Sequence, residues 1–328
     1  MTNSALQYVA KRLLRFVFLL WVVVTITFVL FRVMPGDPTA TLISGAFTEE
    51  SRQAMLQNFG LNKPLHQQYI LYIKNILQGD FGLSFFHKEP VLDVIIPKMQ
   101  NTLVLMIPAF VIVFANAYFM GTYLGWNKGT LADRVGTYLP LSFRAVPHFV
   151  LGIFLLMIFS YELGWFPTGG MGPIGGNEQT IVEQIASPTF YKYAALPFLT
   201  ALLHYIGDPL LLMRGNVISE KHEDYIELHG LKGLSNRKVR EHAARNSLLP
   251  LLTWLTPMVG VAFGGQILIE TVFSWPGIGR ALVDASVRQD FPVAQAAFLL
   301  ISAAVLLTNL LVDLAYGYFD PRISYGET

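Results

Sequence analysis

Cysteine is absent from the 328 residues, which removes disulfides, thiolate metal sites and cysteine nucleophiles together and leaves the redox compartment open. Charge is scarce too: Asp, Glu, Lys and Arg make up 14% of the chain against 53% hydrophobic residues, where a soluble domain usually carries about 25% charged residues. Lipid is therefore the expected solvent for much of the chain. Neither sign of charge dominates, since 23 Lys and Arg stand against 22 Asp and Glu, so no nucleic-acid partner is expected and only local clustering is informative. No G-x-x-x-x-G-K-[ST] phosphate loop is present; residues 125–130, GWNKGT, lack both its spacing and its Gly-Lys pair. ATP hydrolysis is thus expected elsewhere, and no catalytic, cofactor or metal residues are assigned. The seven histidines lack metal-ligand spacing, and there is no internal repeat.

What the chain has instead is length in apolar runs. About 20 predominantly apolar residues cross the hydrocarbon core as a helix, and windows near 11–33, 102–124, 138–161, 194–215, 250–272 and 295–317 qualify. The expected fold is an all-α integral membrane protein with six transmembrane helices. Residues 1–34 form the N-terminus and first span, kept rather than cleaved because no small-x-small pattern follows it. Residues 35–98 form a small external subdomain, in which Leu65, Tyr69, Tyr72, Ile73, Ile76 and Leu77 recur at helical spacing before Gly79. It reads as a packed cap or as a docking surface. Residues 99–320 hold the other five spans and 321–328 a tail. Lys11, Arg12 and Arg15 precede the first span and seven Lys and Arg lie in 214–249, while 161–191 between Tyr161 and Tyr191 carries none before Lys192. The positive-inside rule therefore places both termini and the 214–249 loop in the cytoplasm.

Residues 225–246, YIELHGLKGLSNRKVREHAARN, concentrate charge between two apolar runs. A short helix is expected over Glu220–Leu231, a turn at Gly233, and a second helix from Asn236 to about Arg245 capped by Ser235. The first is acidic, through Glu220, Glu223, Asp224 and Glu227; the second is basic, through Arg237, Lys238, Arg240 and Arg245. A solvated loop and a docking element for a cytoplasmic partner both fit. A DNA-binding helix-turn-helix does not, because tethers at Arg214 and Pro250 leave little room to enter a groove.

Glu227, followed five residues on by Lys232 and then Gly233, resembles the EAA loop of ABC importer permeases. The continuation GLSNRKVREHAARNSLLP is similar to the dipeptide/oligopeptide branch, as are MPGDP at 34–38, GLNKPLHQQY at 60–69, QGDFGLS at 78–84, ETVFSWPGIGR at 270–280 and NLLVDLAYGYFDPRI at 309–323. Leu228 and His229 replace the two alanines of the EAA pattern. The resemblance implies a type I importer permease fold in the bacterial inner membrane, half of a translocation pathway for peptides or similar solutes. It implies as partners a homologous second permease, two cytoplasmic ATPase subunits that bind ATP and Mg, and an external substrate-binding protein. In the loop 216–249 it implies that Glu223, Asp224, Glu227, Leu228, His229, Lys232 and Gly233 meet the ATPase. The basic second helix is left to lie along anionic headgroups.

Charges within spans cost on the order of 2.5–3.5 kcal/mol at a helix centre, so Arg144 and Asp208 need an account. They fall at a similar depth and form a candidate interhelical pair; snorkelling of Arg144 to headgroups, a static structural pair and a gating role all fit. His148, at i+4 from Arg144, is expected on the same helix face, either hydrogen-bonded in the bundle or joining Arg144 in favouring an anionic group. Asn116 is expected to face the bundle, Pro140 and Pro147 to kink the third span, and Glu270 and Asp313 to pack between helices. Trp275 reads as an interfacial aromatic before a tight turn. An ion-driven carrier using Asp208 and Asp313, and an intramembrane protease using Ser142 and His148, are the alternative functions; neither has a supporting motif.

Overall fold

The computed structural model of the chain describes residues 3–33, 63–173, 180–248, 250–254, 258, 260 and 266–319. Among them there is no strand, only an isolated bridge between Leu83 and Pro90. The helices are α1 (Asn3–Val33), α2 (Leu65–Leu77), α3 (Val91–Asn116), α4 (Thr122–Trp126), α5 (Leu131–Ala145), α6 (His148–Leu155), α7 (Ile181–Ala186), α8 (Pro188–Tyr205), α9 (Gly207–Glu220), α10 (Asp224–Leu231), α11 (Asn236–Asn246), α12 (Ile267–Val272), α13 (Ile278–Val287) and α14 (Phe291–Phe319). A π-helical turn, Ala117–Gly121, joins α3 to α4, and another, Leu156–Glu162, extends α6.

Four stretches among the described residues are long and apolar enough to cross a membrane: Gln7–Phe31, Val91–Trp126, Pro188–Glu220 and Phe291–Leu314. A fifth is formed by α5 and α6 if that pair counts as one span, bent by 97°. The third expected span is thus broken, not merely kinked. Val146 is extended and Pro147 sits as the N-cap of α6, because the residue before a proline is pushed out of the helical region. Pro140, by contrast, lies inside α5. The second span starts at Val91, ahead of the expected boundary at 98. Residues 255–257, 259 and 261–265 of the expected 250–272 span, and residues 35–62 of the segment before α2, lie outside the described residues.

The chain divides into two compact units. The first takes residues 1–102, 263–267 and 276–328. Here α1 runs antiparallel to α14: Arg12 meets Asp313 at 2.6 Å at one end, and Phe31 meets Phe291 edge-on at the other. The α2 helix lies on α1 through Tyr69 and Tyr72 against Phe28, with Thr25 Oγ1 2.6 Å from the Tyr69 hydroxyl. Asp290 gathers the loop after α2, accepting from Ser84 Oγ at 2.5 Å and from the amides of Phe85 and Phe86. Val91, Ile95, Ile278, Val293 and Ala297 form the core beneath.

The second unit takes residues 103–262 and 268–275. Gly121 and Gly125 bring the α3–α4 span against α9. A Cβ on Gly121 would lie 2.8 Å from Met213 Cβ, and one on Gly125 would lie 2.7 Å from the Arg214 carbonyl. Lipid gives helices little hydrophobic reason to associate, so this small-x-x-x-small spacing lets backbones approach until dispersion holds them. Trp275 is fully buried and packs edge-on against Phe190. It is a packing residue rather than an interfacial aromatic, because the chain folds over it where Gly169 meets the Phe273 carbonyl.

Candidate functional site

Two constellations draw together the residues singled out by sequence, and both hang on α9. The first is its C-terminal end. Instead of one helix over Glu220–Leu231, α9 stops at Glu220 and α10 restarts at Asp224, with Glu223 extended at the N-cap. The Tyr225 hydroxyl donates back to the Glu220 carboxylate and holds the corner. Burial, followed by that hydrogen bond, pushes the Tyr225 phenol up to about 12. Lys221 closes the corner from the other side, its ammonium donating to the Trp126 carbonyl at 2.8 Å and sitting over the indole ring.

The turn at Gly233 adopts φ +75°, a left-handed conformation that glycine reaches without Cβ strain. Ser235 has the backbone of an N-cap, yet its side chain makes no capping hydrogen bond. The two helices then close on one another through Ile226, Val239 and Ala243, while Ala244 reaches Met213 and Val217 of α9. Inward packing of Ile226 dictates what faces out. Asp224, Glu227, Leu228 and Leu231 share one face at i, i+3, i+4 and i+7, and all four are exposed, Leu231 by 79%. Glu223, Lys232 and Gly233 are exposed at its two ends. His229 is the exception among the expected contact residues: its ring turns inward, 4.8 Å from His242 and 5.7 Å from Tyr225 between ring centres.

The second constellation lies at the α5–α6 break. Arg144 Nε is 2.6 Å from Asp208 Oδ1. Arg144 belongs to the last turn of α5 and Asp208 to the first turn of α9, so each charge opposes its own helix dipole favourably. Gly207 makes the approach possible, since a Cβ there would lie 3.2 Å from the Pro140 carbonyl and 3.6 Å from Arg144 Cβ. His148 does not share a helix face with Arg144, because the break at Val146–Pro147 separates them. It meets His204 instead, ring centres 5.2 Å apart. His148 Nε2 and His204 Nδ1 are both buried and make no hydrogen bond among the described residues, as is Asn116 Oδ1.

Sequence reasoning passed over four residues that organise these sites. His204 carried no motif. Asp133 and Arg214 form a second, two-pronged tie between α5 and α9, at 2.6 and 2.8 Å. Asp133 also accepts from the Gly129 amide at 2.9 Å and sits under the Thr130 cap. The available signal was Thr130-x-x-Asp133, a helix-start pattern whose acid is 3% exposed. Tyr225 was likewise read only as part of the loop. With Arg144–Asp208 at one end and Asp133–Arg214 at the other, α5 is pinned antiparallel to the helix that leads directly into α10.

Comparison with known proteins gives matches along nearly the whole length of the chain. Residues 117–325 match the family described as binding-protein-dependent transport system inner membrane component, and residues 5–106 match the N-terminal family of such membrane components. The oligopeptide transport system permease protein AppB of Bacillus subtilis (strain 168) is 30% identical over 320 residues, covering 97% of this chain and 99% of the relative. The glutathione transport system permease protein GsiC of Escherichia coli (strain K12) is 35% identical over 324 residues, covering 98% and 99%. The probable peptide ABC transporter permease protein y4tP of Sinorhizobium fredii is 33% identical over 324 residues, covering 97% and 99%.

Proposed function

Because the chain belongs to the binding-protein-dependent transport system inner membrane components, and is a multi-pass permease subunit rather than an enzyme, we propose that it carries peptides or close relatives such as glutathione into the cell. In this reading it forms half of a translocation pathway with a homologous second permease. Two cytoplasmic ATPase subunits hydrolyse ATP with Mg, and an external binding protein delivers the solute. Both termini and the loop 216–249 are cytoplasmic, and the span within 250–272 completes six.

The observation that carries the proposal is the exposed face of α10. Two uncovered leucines beside acidic residues, on a helix whose opposite face is packed, are what a groove on a soluble partner would bury. Glu223, Asp224, Glu227, Leu228, Lys232 and Gly233 make that contact, and His229 supports it from within. Force on α10 is passed through the Tyr225–Glu220 corner into α9, and from α9 through its two ion pairs into α5. Arg144, His148, Asp208 and Asn116 are assigned to the pathway or its gate, where Arg144 and the histidines suit a solute carboxylate.

Copurification tests the contact. An ATPase subunit retained by the wild-type chain is expected to be lost on changing Glu227 together with Gly233→Val, while the permease still inserts in the membrane. Retention of the ATPase by that variant contradicts the proposal.

A further inference from the structure

The outer flank of α11 bounds a cavity of about 590 Å³ that the coupling role leaves unused. Its walls are Tyr118, Phe119 and Tyr123 from the end of the α3–α4 span, and Arg237, Arg240 and Glu241 from α11. Phe119 is 69% exposed, and Tyr123 is exposed beside it, at the last turns of the apolar stretch that ends at Trp126. Aromatic residues at that position mark the depth of the headgroups. Opposite them, Glu241 is committed to Arg237 at 3.0 Å. Arg240 is half-buried, and among the described residues no carboxylate answers it.

We propose that this cavity is a binding site for one anionic phospholipid. Its phosphate lies against the Arg240 guanidinium and the terminal nitrogens of Arg237, whose Nε is held by Glu241, and its acyl chains run over Phe119 and Tyr123 toward the hydrocarbon. Arginine suits the role because its planar fork meets phosphate oxygens in pairs. The volume is that of a small-molecule site, and the lining joins basic side chains to aromatic ones, as a lipid joins headgroup to tail. The site rests on the membrane-spanning reading of the α3–α4 stretch, but not on the identity of the solute or on coupling to an ATPase.

The test is native mass spectrometry of the assembled transporter, released from nanodiscs of phosphatidylglycerol and phosphatidylcholine in equal parts. One phosphatidylglycerol per copy of this chain is expected to survive release. The Arg237→Gln/Arg240→Gln variant is expected to hold it roughly tenfold or more weakly, as loss of two headgroup-facing cations implies. Lys238→Gln, which changes a neighbouring charge outside the cavity, is expected to retain it. Equal retention by the double variant, or equal retention of phosphatidylcholine, overturns the proposal. So does release of the lipid by millimolar inorganic phosphate, which would make the site one for free phosphate. A partner subunit cross-linking to residue 240 in the wild type with no lipid retained would also overturn it. Transport failure with lipid retention intact would count against the proposed function and leave this site standing.

Discussion

At the residue scale, the two ion pairs between α5 and α9 differ in what they do. Asp133 is almost fully enclosed, with its side chain 4% exposed against 21% for Arg214. Removing one partner of a buried pair strands the other, at a cost of about 3–5 kcal/mol. Asp133→Asn is accordingly expected to lower the thermal unfolding midpoint of the detergent-purified protein strongly. A shift within error would mean that the pair is not buried. Arg144 and Asp208 are 51% and 33% exposed, so their mutual energy is discounted for screening to the order of 1 kcal/mol or less, and a mainly functional effect follows. Single changes Arg144→Asp and Asp208→Arg should each depress uptake, with the double swap recovering it in part. If the swap recovers nothing, the pair has no functional meaning.

Tyr225 gives a pH dependence of definite sign. Its folded-state pKa is raised to about 12 from an ordinary value near 10, so the corner it makes with Glu220 contributes in full below pH 10. That contribution is lost as pH rises toward 12, when the phenolate would face a carboxylate. The stability difference between the wild type and Tyr225→Phe should therefore be constant up to pH 10 and shrink above it. A difference that grows with pH would reverse the sign and refute the hydrogen bond.

At the element scale, the contact of the α3–α4 span with α9 depends on what Gly121 and Gly125 lack. Leucine at Gly121 would meet Met213 Cβ and the Leu210 carbonyl, and at Gly125 the Arg214 carbonyl and Val217 Cβ, and overpacking of this kind costs about 1–3 kcal/mol. Gly121→Leu and Gly125→Leu are both expected to lower the unfolding midpoint, because each position meets a backbone carbonyl and a Cβ that cannot swing aside; equal behaviour to wild type would show that the helices do not touch.

The second unit also shows where the sequence could be read and where it could not. The spans expected near 102–124 and 194–215 followed from apolar run length, and the end of α10 at Leu231, the left-handed Gly233 and the extent of α11 followed from cap and turn chemistry, all of which act locally. The break at Val146–Pro147 was underestimated, since proline announces a disturbance but only neighbouring helices decide whether a kink of about 20° or the 97° bend seen here results. The Arg144–Asp208 pair was suggested by depth alone. Asp133–Arg214 and His148–His204 were not, because contacts made over such distances along the chain leave no periodicity. Trp275 failed for the related reason that burial by a loop cannot be told from burial by lipid.

At the scale of the whole molecule, the proposed function makes the chain a relay rather than a catalyst. In that proposal the exposed acidic and leucine-bearing face of α10 receives a push, the Tyr225–Glu220 corner and the α10–α11 core pass it on as one piece, and α9 carries it past two ion pairs to the broken α5–α6 span. Each link has a different physical basis, so each can be cut separately. Leu228→Asp with Leu231→Asp changes only exposed side chains and should leave folding intact. Ile226→Asp places a charge in the α10–α11 core and should instead unfold the loop.

The most direct measurement is peptide uptake into proteoliposomes that contain this permease with its companion permease, ATPases and binding protein. Uptake is expected to require ATP at the ATPase face and the binding protein at the other. Leu228→Asp/Leu231→Asp should abolish it while the variant still inserts and unfolds at the wild-type temperature. Uptake that persists in that variant, or that an ion gradient drives with the ATPases absent, would contradict the account.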